Sequence, residues 1–192
     1  SYGGADTEIV IPDTLDGKPA TAIGERAFYY SLSLTSVTIP DSVTCISKRA
    51  FSCCYNLMSI ALPSGLTAIE PGTFELCNSL TSIAIPDSIT TIAEDAFVSC
   101  KALQSFTLSP NHPYFFLADG ALCRTVDNTL LFYPNARENR TYRIPDGIAA
   151  ISAYAFYDCD LLESVVIPDS ITQIPERAFY GCSALASVSL PD

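Results

Sequence analysis

The chain has 192 residues, of which 48% are hydrophobic and 16% are charged, so it can bury a sizeable core. Its formal net charge of -11 argues against nucleic acid and anionic membrane surfaces as partners, because few cations are available to neutralise phosphates. No apolar run approaches the roughly 18 residues that a membrane-spanning helix needs, so the sequence predicts no membrane insertion.

A unit of 23 residues repeats along the chain, and Phe, Leu and Pro each recur at that step. The Phe column comprises Phe28, Phe51, Phe74, Phe97, Phe156 and Phe179. Six repeats are predicted at about 11–38, 39–61, 62–84, 85–107, 144–166 and 167–189. The first repeat contains a five-residue insertion near residues 16–20, and an insertion of 36 residues, 108–143, follows the fourth. Because the last residues begin another unit, we expect the chain to be a fragment of a longer protein.

One repeat can be read in chain order from its residue types. Ile83-Ala84-Ile85 alternates with period two and predicts a strand, which Pro86 ends because proline donates no hydrogen bond. Asp87 and Ser88 are turn formers, and residues 94–97 predict a short helical turn anchored by a buried Phe97. A single coil cannot bury its own apolar row, so the coils must stack. The sequence therefore predicts one α/β repeat solenoid over residues 1–192.

The pattern Leu-x-Ser-Ile-x-Ile-Pro-Asp-Ser-Ile-Thr-x-Ile-x-x-x-Ala-Phe-x-x-Cys, read from residue 80, resembles the BspA-like branch of the leucine-rich repeats. The resemblance extends from Ile9 to Asp192. It implies a right-handed superhelix with a parallel β-sheet on the concave side and short turns or helical segments on the convex side. It also implies a secreted or cell-surface protein of microbes, since members are described as adhesins, host-matrix binders or uncharacterised surface proteins. The family has no catalytic motif to transfer.

The insertion 108–143 differs from the rest of the chain in charge and in aromatic content. Residues 121–125 and 129–133, joined through residues 126–128, predict a β-hairpin that projects from the solenoid. Insertions in solenoids often carry binding function. The candidate binding residues are His112, Tyr114, Phe115, Phe116, Arg124, Tyr133, Arg137 and Arg140. The alternative is that the aromatic residues form the hairpin's own small core. Residues 139–141 also match an N-glycosylation sequon.

A second candidate surface is the outward side of the predicted strands, which would form the concave face. Its residues are Ser36, Thr38, Ser59, Ser82, Ser105, Thr107, Ser164 and Ser187. A solenoid's inner curve is its usual binding surface. The alternative is a solvated sheet selected for stacking, because this face lacks the Tyr, Trp and Arg anchors that dominate binding energy.

Two further columns of residues are candidate sites. Cys54, Cys77, Cys100, Cys159 and Cys182 share one repeat position, and stacking could place them within disulfide range or simply bury them as small thiols. The thiol interpretation is favoured, because Ser31 occupies the same position in the first repeat. Asp13, Asp41, Asp87, Asp146, Asp169 and Asp192 form an acidic column. Such carboxylates could bind calcium, but a turn residue after proline explains them better.

No enzyme fingerprint is present in the sequence, and His112 is its single histidine. We therefore expect a non-enzymatic protein-binding or adhesion module without cofactor or metal. The expected location is extracellular or at the cell surface, with an extracellular host or matrix protein as partner. The alternatives are a passive structural spacer of a surface protein and a carbohydrate-binding module that uses tyrosines.

Overall fold

The computed structural model describes residues 4–190, and these residues form short strands and turns with no helix among them. The strands in chain order are β1 (Glu8–Val10), β2 (Thr14–Leu15), β3 (Lys18–Pro19), β4 (Ala22–Ile23), β5 (Ser36–Thr38), β6 (Cys45–Ile46), β7 (Ser59–Ile60), β8 (Ala68–Ile69), β9 (Ser82–Ala84), β10 (Thr91–Ile92), β11 (Ser105–Thr107), β12 (Phe115–Ala118), β13 (Ala121–Arg124), β14 (Thr129–Phe132), β15 (Thr141–Arg143), β16 (Ala150–Ile151), β17 (Ser164–Val166) and β18 (Ser187–Ser189). Accordingly, nothing in the described part of the chain is a helix long and apolar enough to cross a membrane.

The strands form two rows along the solenoid; each coil contributes one strand to each row, except the last, which contributes only β18 to the first row. The first strand row consists of the parallel ladders β1-β5-β7, β9-β11 and β15-β17-β18. The second strand row consists of the parallel pairs β4-β6, β8-β10 and β14-β16. Registers such as Ser82 opposite Ser105 and Ile83 opposite Phe106 pair residues 23 apart. Side chains alternate along a strand, so the repeat period places one apolar residue of every coil inside the core.

The helical segments predicted for the convex side are wrong. In the coil around Phe97, the N–H of Ala96 donates to Ala93 and the N–H of Cys100 donates to Phe97, which makes successive turns. Ser99, two residues after Phe97, has φ 59°, a left-handed conformation that interrupts a right-handed helix. The N–H at the Phe position bonds the next coil, as Phe74 does to the carbonyl of Ala96 at 2.9 Å. These donors stabilise stacking between coils rather than a helix within one coil.

The phenylalanines of neighbouring coils stack inside this turn region. Ring centroids lie 5.1 Å apart for Phe28 and Phe51, 5.8 Å for Phe51 and Phe74, and 5.6 Å for Phe74 and Phe97. The planes of each pair are within 8° of parallel. Phe97 then meets Phe132 edge-on at 5.2 Å, and this contact ends the first stack.

The long interval between Phe97 and Phe156 contains a coil that the repeat pattern did not show. The N–H of Tyr133 donates to the carbonyl of Ala155 at 2.7 Å, the bond that phenylalanine makes elsewhere. Tyr133 also stacks on Phe156 at 5.4 Å. The Phe position is therefore occupied seven times within residues 4–190, with steps of 36 from residue 97 to 133 and 23 from 133 to 156.

The hairpin predicted to project from the solenoid is therefore corrected. Strand β13 does pair antiparallel with β14, but β14 then pairs parallel with β16 of the next coil. Leu131 and Phe132 are buried in the main core. A segment as apolar as Thr129–Phe132 gains more from burial in the stack than from standing in solvent. The coil that contains Tyr133 is called the long coil below. Its extra residues form β12 and the connections of that strand.

The long coil also allows contact between the coils on either side of it. The Ser99 hydroxyl donates to the Asp158 carboxylate at 2.7 Å, across 59 residues of sequence. Lys101 Nζ lies 3.6 Å from Asp160 Oδ2. The Phe97 and Phe156 coils thus touch at their edge, although the Tyr133 coil lies between them in sequence.

Replacing Phe97 with alanine should cost roughly 3–5 kcal/mol of unfolding free energy, because a ring that is 3% exposed leaves a cavity where the two stacks meet. Urea denaturation of Phe97→Ala and the parent chain measures this loss. Tyr180→Ala, at a ring that is 60% exposed, is the control and should cost much less. A loss below about 1 kcal/mol for Phe97→Ala would contradict the central role of the stack.

Candidate functional site

An arginine fixes the turn between the antiparallel strands β12 and β13. Asp119 and Gly120 connect β12 to β13 with φ values of 43° and 81°, the doubly left-handed geometry of a tight hairpin turn. The guanidinium of Arg137 donates to the Asp119 carbonyl and, at 3.0 Å, to its carboxylate. It lies so close that a Cβ on Gly120 would clash with the Arg137 guanidinium. Arg137, a predicted binding residue, therefore holds the turn in place.

His112 organises the start of the insertion. Its Nδ1 accepts the backbone N–H groups of Tyr114 and Phe115, each at 3.2 Å. The ring proton consequently resides on Nε2, which lies 3.0 Å from the carbonyl of Pro86 in the preceding repeat. The His112 ring is buried and ties the insertion to the solenoid.

Burial divides the aromatic residues that were predicted to bind a partner. Phe115 and Tyr133 are 2% and 3% exposed and belong to the core, and Phe116 is half-buried. Tyr114 is 44% exposed. The structure thus offers only part of this set to solvent, and it places Phe115 and Tyr133 in different core clusters.

The four arginines of residues 108–143 all lie beside carboxylates of the chain itself. Arg124 binds Asp127 through two nitrogens, and this hydrogen bonding lowers the pKa of the Asp127 carboxyl to about 2. The other pairs are Arg137 with Asp119, Arg140 with Glu163 and Arg143 with Asp146. The positive charge expected of the insertion is therefore largely neutralised in place.

Exposed apolar side chains of the insertion line two cavities. Val126 is 86% exposed, Tyr114 44% and Leu117 40%. A cavity of about 300 Å³ is lined by Thr90, Pro113, Tyr114, Arg124, Thr125 and Val126. A second cavity, of about 480 Å³, shares Thr125 and is also lined by Leu117 and Phe116. We call Pro113, Tyr114, Leu117, Thr125 and Val126 the insertion patch.

The predicted concave face corresponds to the outward side of the first strand row. Ser36 and Ser164 are half-buried there, whereas Thr38, Ser59, Ser82, Ser105, Thr107 and Ser187 are exposed. Thr141 and Arg143 of β15 lie in register with Ser164 and Val166 on this row. They were missed because the long coil hid one repeat, although counting back 23 residues from Ser164 would have found Thr141. Arg143 and Asp146 line a groove of about 530 Å³.

The cysteine column is a ladder of unbridged thiols. Sγ of Cys54 donates to the carbonyl of Phe28 at 3.0 Å, Cys77 to Phe51 at 3.3 Å and Cys100 to Phe74 at 3.1 Å. Cys159 and Cys182 make the same bond to Tyr133 and Phe156. All eight cysteines are free thiols, and burial raises the pKa of Cys54 and Cys100 to about 12. Their sulfurs bond the preceding coil and do not form bridges.

The acidic column occupies turns. The serine that follows the aspartate in the Pro-Asp-Ser turn donates its hydroxyl to the preceding coil. Ser88 donates to the carbonyl of Leu66 at 2.6 Å, and Ser170 donates to that of Ile148 at 2.7 Å. Asp192 lies outside the described residues. Across residues 4–190, no three His, Cys, Asp or Glu side chains are grouped so that they could hold a metal ion.

Two tyrosine clusters on the turn edge were also missed by sequence reasoning. Tyr29, Tyr30 and Tyr55 adjoin at one end, and Tyr157 stacks on Tyr180 at 5.0 Å with 22° between the planes at the other. Tyr29, Tyr157 and Tyr180 each directly follow the Phe of their repeat, and this shared position could have identified them from the sequence. Because the Tyr157 and Tyr180 rings face each other, they form no flat platform.

Comparison with known proteins places this arrangement among repeat proteins. A family model described as BspA type leucine rich repeat region matches six copies, over residues 7–116 and 132–192. No curated protein matches the chain. A leucine-rich repeat protein from Eubacterium ventriosum is 22% identical with a TM-score of 0.73, over 95% of this chain and 59% of that one. The T. pallidum leucine-rich repeat protein TpLRR is 29% identical with a TM-score of 0.59, over 98% of this chain and 71% of that one.

A third solved structure, the pneumococcal vaccine antigen PcpA, is 20% identical with a TM-score of 0.71. The match covers 100% of this chain and 62% of that one. The chain therefore spans less than two thirds of two of these three neighbours.

Replacing Gly120 with alanine should destabilise the chain by about 1–3 kcal/mol, because a side chain there must adopt a left-handed φ and displace Arg137. Urea denaturation measures the loss. Gly24→Ala is the matched control, since no atom lies within 4 Å of its Cβ position. Equal stability of the two variants would show that the Arg137 contact does not constrain the turn.

The buried thiols should make the fold sensitive to alkali. A thiol with a pKa near 9.0 in the unfolded chain and about 12 in the fold stabilises fully below pH 9 and loses that effect as the pH rises towards 12. In this window, each such thiol lowers the unfolding free energy by about 1.4 kcal/mol for every unit that the pH rises. The melting temperature should fall from pH 8 to pH 11, less steeply in Cys100→Ala than in the parent. A parent curve that stays flat over this range would show that the thiols are not buried as described.

Proposed function

This chain belongs to the BspA-type leucine-rich repeat family, and we propose that it is a non-enzymatic protein-binding module, of adhesion type, in a secreted or cell-surface protein. Members of this family are typically surface proteins involved in interaction. The proposed partner is an extracellular host or matrix protein. We propose the same binding role for any longer protein that contains this chain.

The insertion patch is the single observation that supports binding most directly. Contiguous apolar side chains rarely remain exposed on a monomer unless they serve an interaction. Here Tyr114, Leu117 and Val126 are exposed around two cavities that meet at Thr125. The patch is held rigidly, because His112 fixes its first residues and Arg137 fixes the adjoining turn. A preorganised surface loses little conformational entropy on binding.

The two alternative functions have weaker support. A passive spacer gives no reason for apolar side chains to be exposed beside cavities at the insertion. A carbohydrate-binding module would favour a pair of exposed tyrosines lying side by side in one plane. The Tyr157 and Tyr180 rings instead stack face to face at 5.0 Å. Protein binding at the insertion patch is therefore the better proposal.

The test compares binding of immobilised extracellular-matrix proteins by the parent chain and by the double variant Tyr114→Ser, Val126→Ser. Deletion of residues 111–140 would be a poor test, because Leu130, Leu131 and Tyr133 of that segment are core residues. Val10→Ser is the matched control at another exposed valine, 73% exposed on β1. We expect the double variant to lose at least tenfold in affinity, a loss of about 1.4 kcal/mol, with Val10→Ser unchanged.

A strand-face variant, Ser105→Arg, separates the remaining outcomes. If it loses binding while the double variant retains it, the site lies on the first strand row. If the parent chain binds none of the matrix proteins, the adhesion proposal fails and the spacer is favoured.

A further inference from the structure

We propose that the insertion patch receives a cationic segment of its protein partner, with one apolar side chain seated between Tyr114 and Val126 and lysine or arginine residues on either side. The inference rests on the proposed function and names the chemistry of the partner. It follows from the shape of the patch and from the charges around it.

The smaller cavity provides the apolar seat. Its volume of about 300 Å³ is at the lower end of the range for ligand pockets, and suits a side chain rather than a whole domain. Pro113, Tyr114 and Val126 supply apolar walls. Tyr114 adds a rigid ring with a polar tip, the kind of residue that contributes most to binding at interfaces.

The charges around the seat favour a cation. Arg124 is the one basic residue that lines this cavity, and Asp127 binds it through both carboxylate oxygens. Glu94 is close enough to contribute to the raised pKa of Arg124. The charges of two carboxylates therefore act on one guanidinium, and Asp127 contacts it directly. At the adjoining cavity, Ser109 donates to the carboxylate of Asp87, which adds a further negative charge.

The rest of the surface has few cations to offer an acidic partner. Eight of the ten Lys and Arg side chains, all in the described part of the chain, lie within 4.0 Å of a carboxylate: Lys48, Arg49, Lys101, Arg124, Arg137, Arg140, Arg143 and Arg177. The net charge of -11 then acts as a field that attracts basic segments. The same field disfavours a second copy of this chain as the occupant, since both copies would carry like charge.

The probe is a fluorescent nonapeptide with one central leucine and two lysines on each side, titrated with the full chain and followed by anisotropy. Two matched peptides replace the lysines by glutamates or the leucine by alanine. We expect binding by the lysine-leucine peptide, at least fivefold weaker binding of its alanine counterpart, and no binding of the glutamate peptide. Raising NaCl from 50 to 300 mM should weaken binding several-fold, because the charges are exposed.

The variant Val126→Asp distinguishes seating from charge attraction alone. It adds a carboxylate, so attraction by charge alone would become stronger, whereas loss of the apolar wall should weaken binding at least fivefold. Val10→Asp adds the same charge at the distant β1 and should not weaken binding. Binding that is unchanged or stronger in Val126→Asp would overturn the inference.

The peptide result and the matrix-protein result are independent readouts. If the patch variants lose a matrix protein but no peptide binds, the proposed function stands and the cationic inference fails. If the peptide binds as expected and no matrix protein does, the chemistry of the site stands and the adhesion proposal fails.

Discussion

The stacking of coils depends on hydrogen bonds that leave each coil at the Phe position. The N–H groups of Phe28, Phe51 and Phe74 all donate to the following coil, at 2.8 to 3.0 Å. Left-handed residues on one or both sides of the ring make this possible, because they turn the backbone outward and prevent a helix from forming. The ring stack, the thiol ladder and the two strand rows all require the coil spacing that these bonds set. The 23-residue period of the sequence reflects this constant spacing between coils.

The periodicity was sufficient to predict the parallel strands of the first row and their inward residues, because spacing of apolar residues determines which side chains face a core. It was not sufficient to predict the turn region. The left-handed residues there include Tyr30, Cys53 and Ser99, which share no side-chain type that marks them. The segment Glu94-Asp95-Ala96 before Phe97 resembles a helix start locally. Contacts between coils override that local preference.

The long coil was hidden by substitution at its key position. Tyr133 performs the role of phenylalanine, and Asn135 offers its side-chain amide to the carbonyl of Tyr157, where backbone N–H groups serve in other coils. A pattern search for phenylalanine therefore finds a gap where the structure has a repeat. The same error gave Tyr133 a predicted binding role. Within the predicted site, the sequence could not divide buried residues such as Phe115 from exposed ones such as Tyr114. The binding roles themselves stay a prediction.

The contact of Ser99 with Asp158 changes how this solenoid can come apart. Repeat arrays behave almost as one-dimensional chains in which each unit is coupled only to its neighbours, so a weak unit can separate the two sides. The long coil is the irregular unit here, and it lies where the two core clusters meet. Because Ser99 and Lys101 reach past it to Asp158 and Asp160, the flanking units are coupled to each other directly as well as through the long coil. The irregular coil thus does not divide the array into two independently unfolding halves.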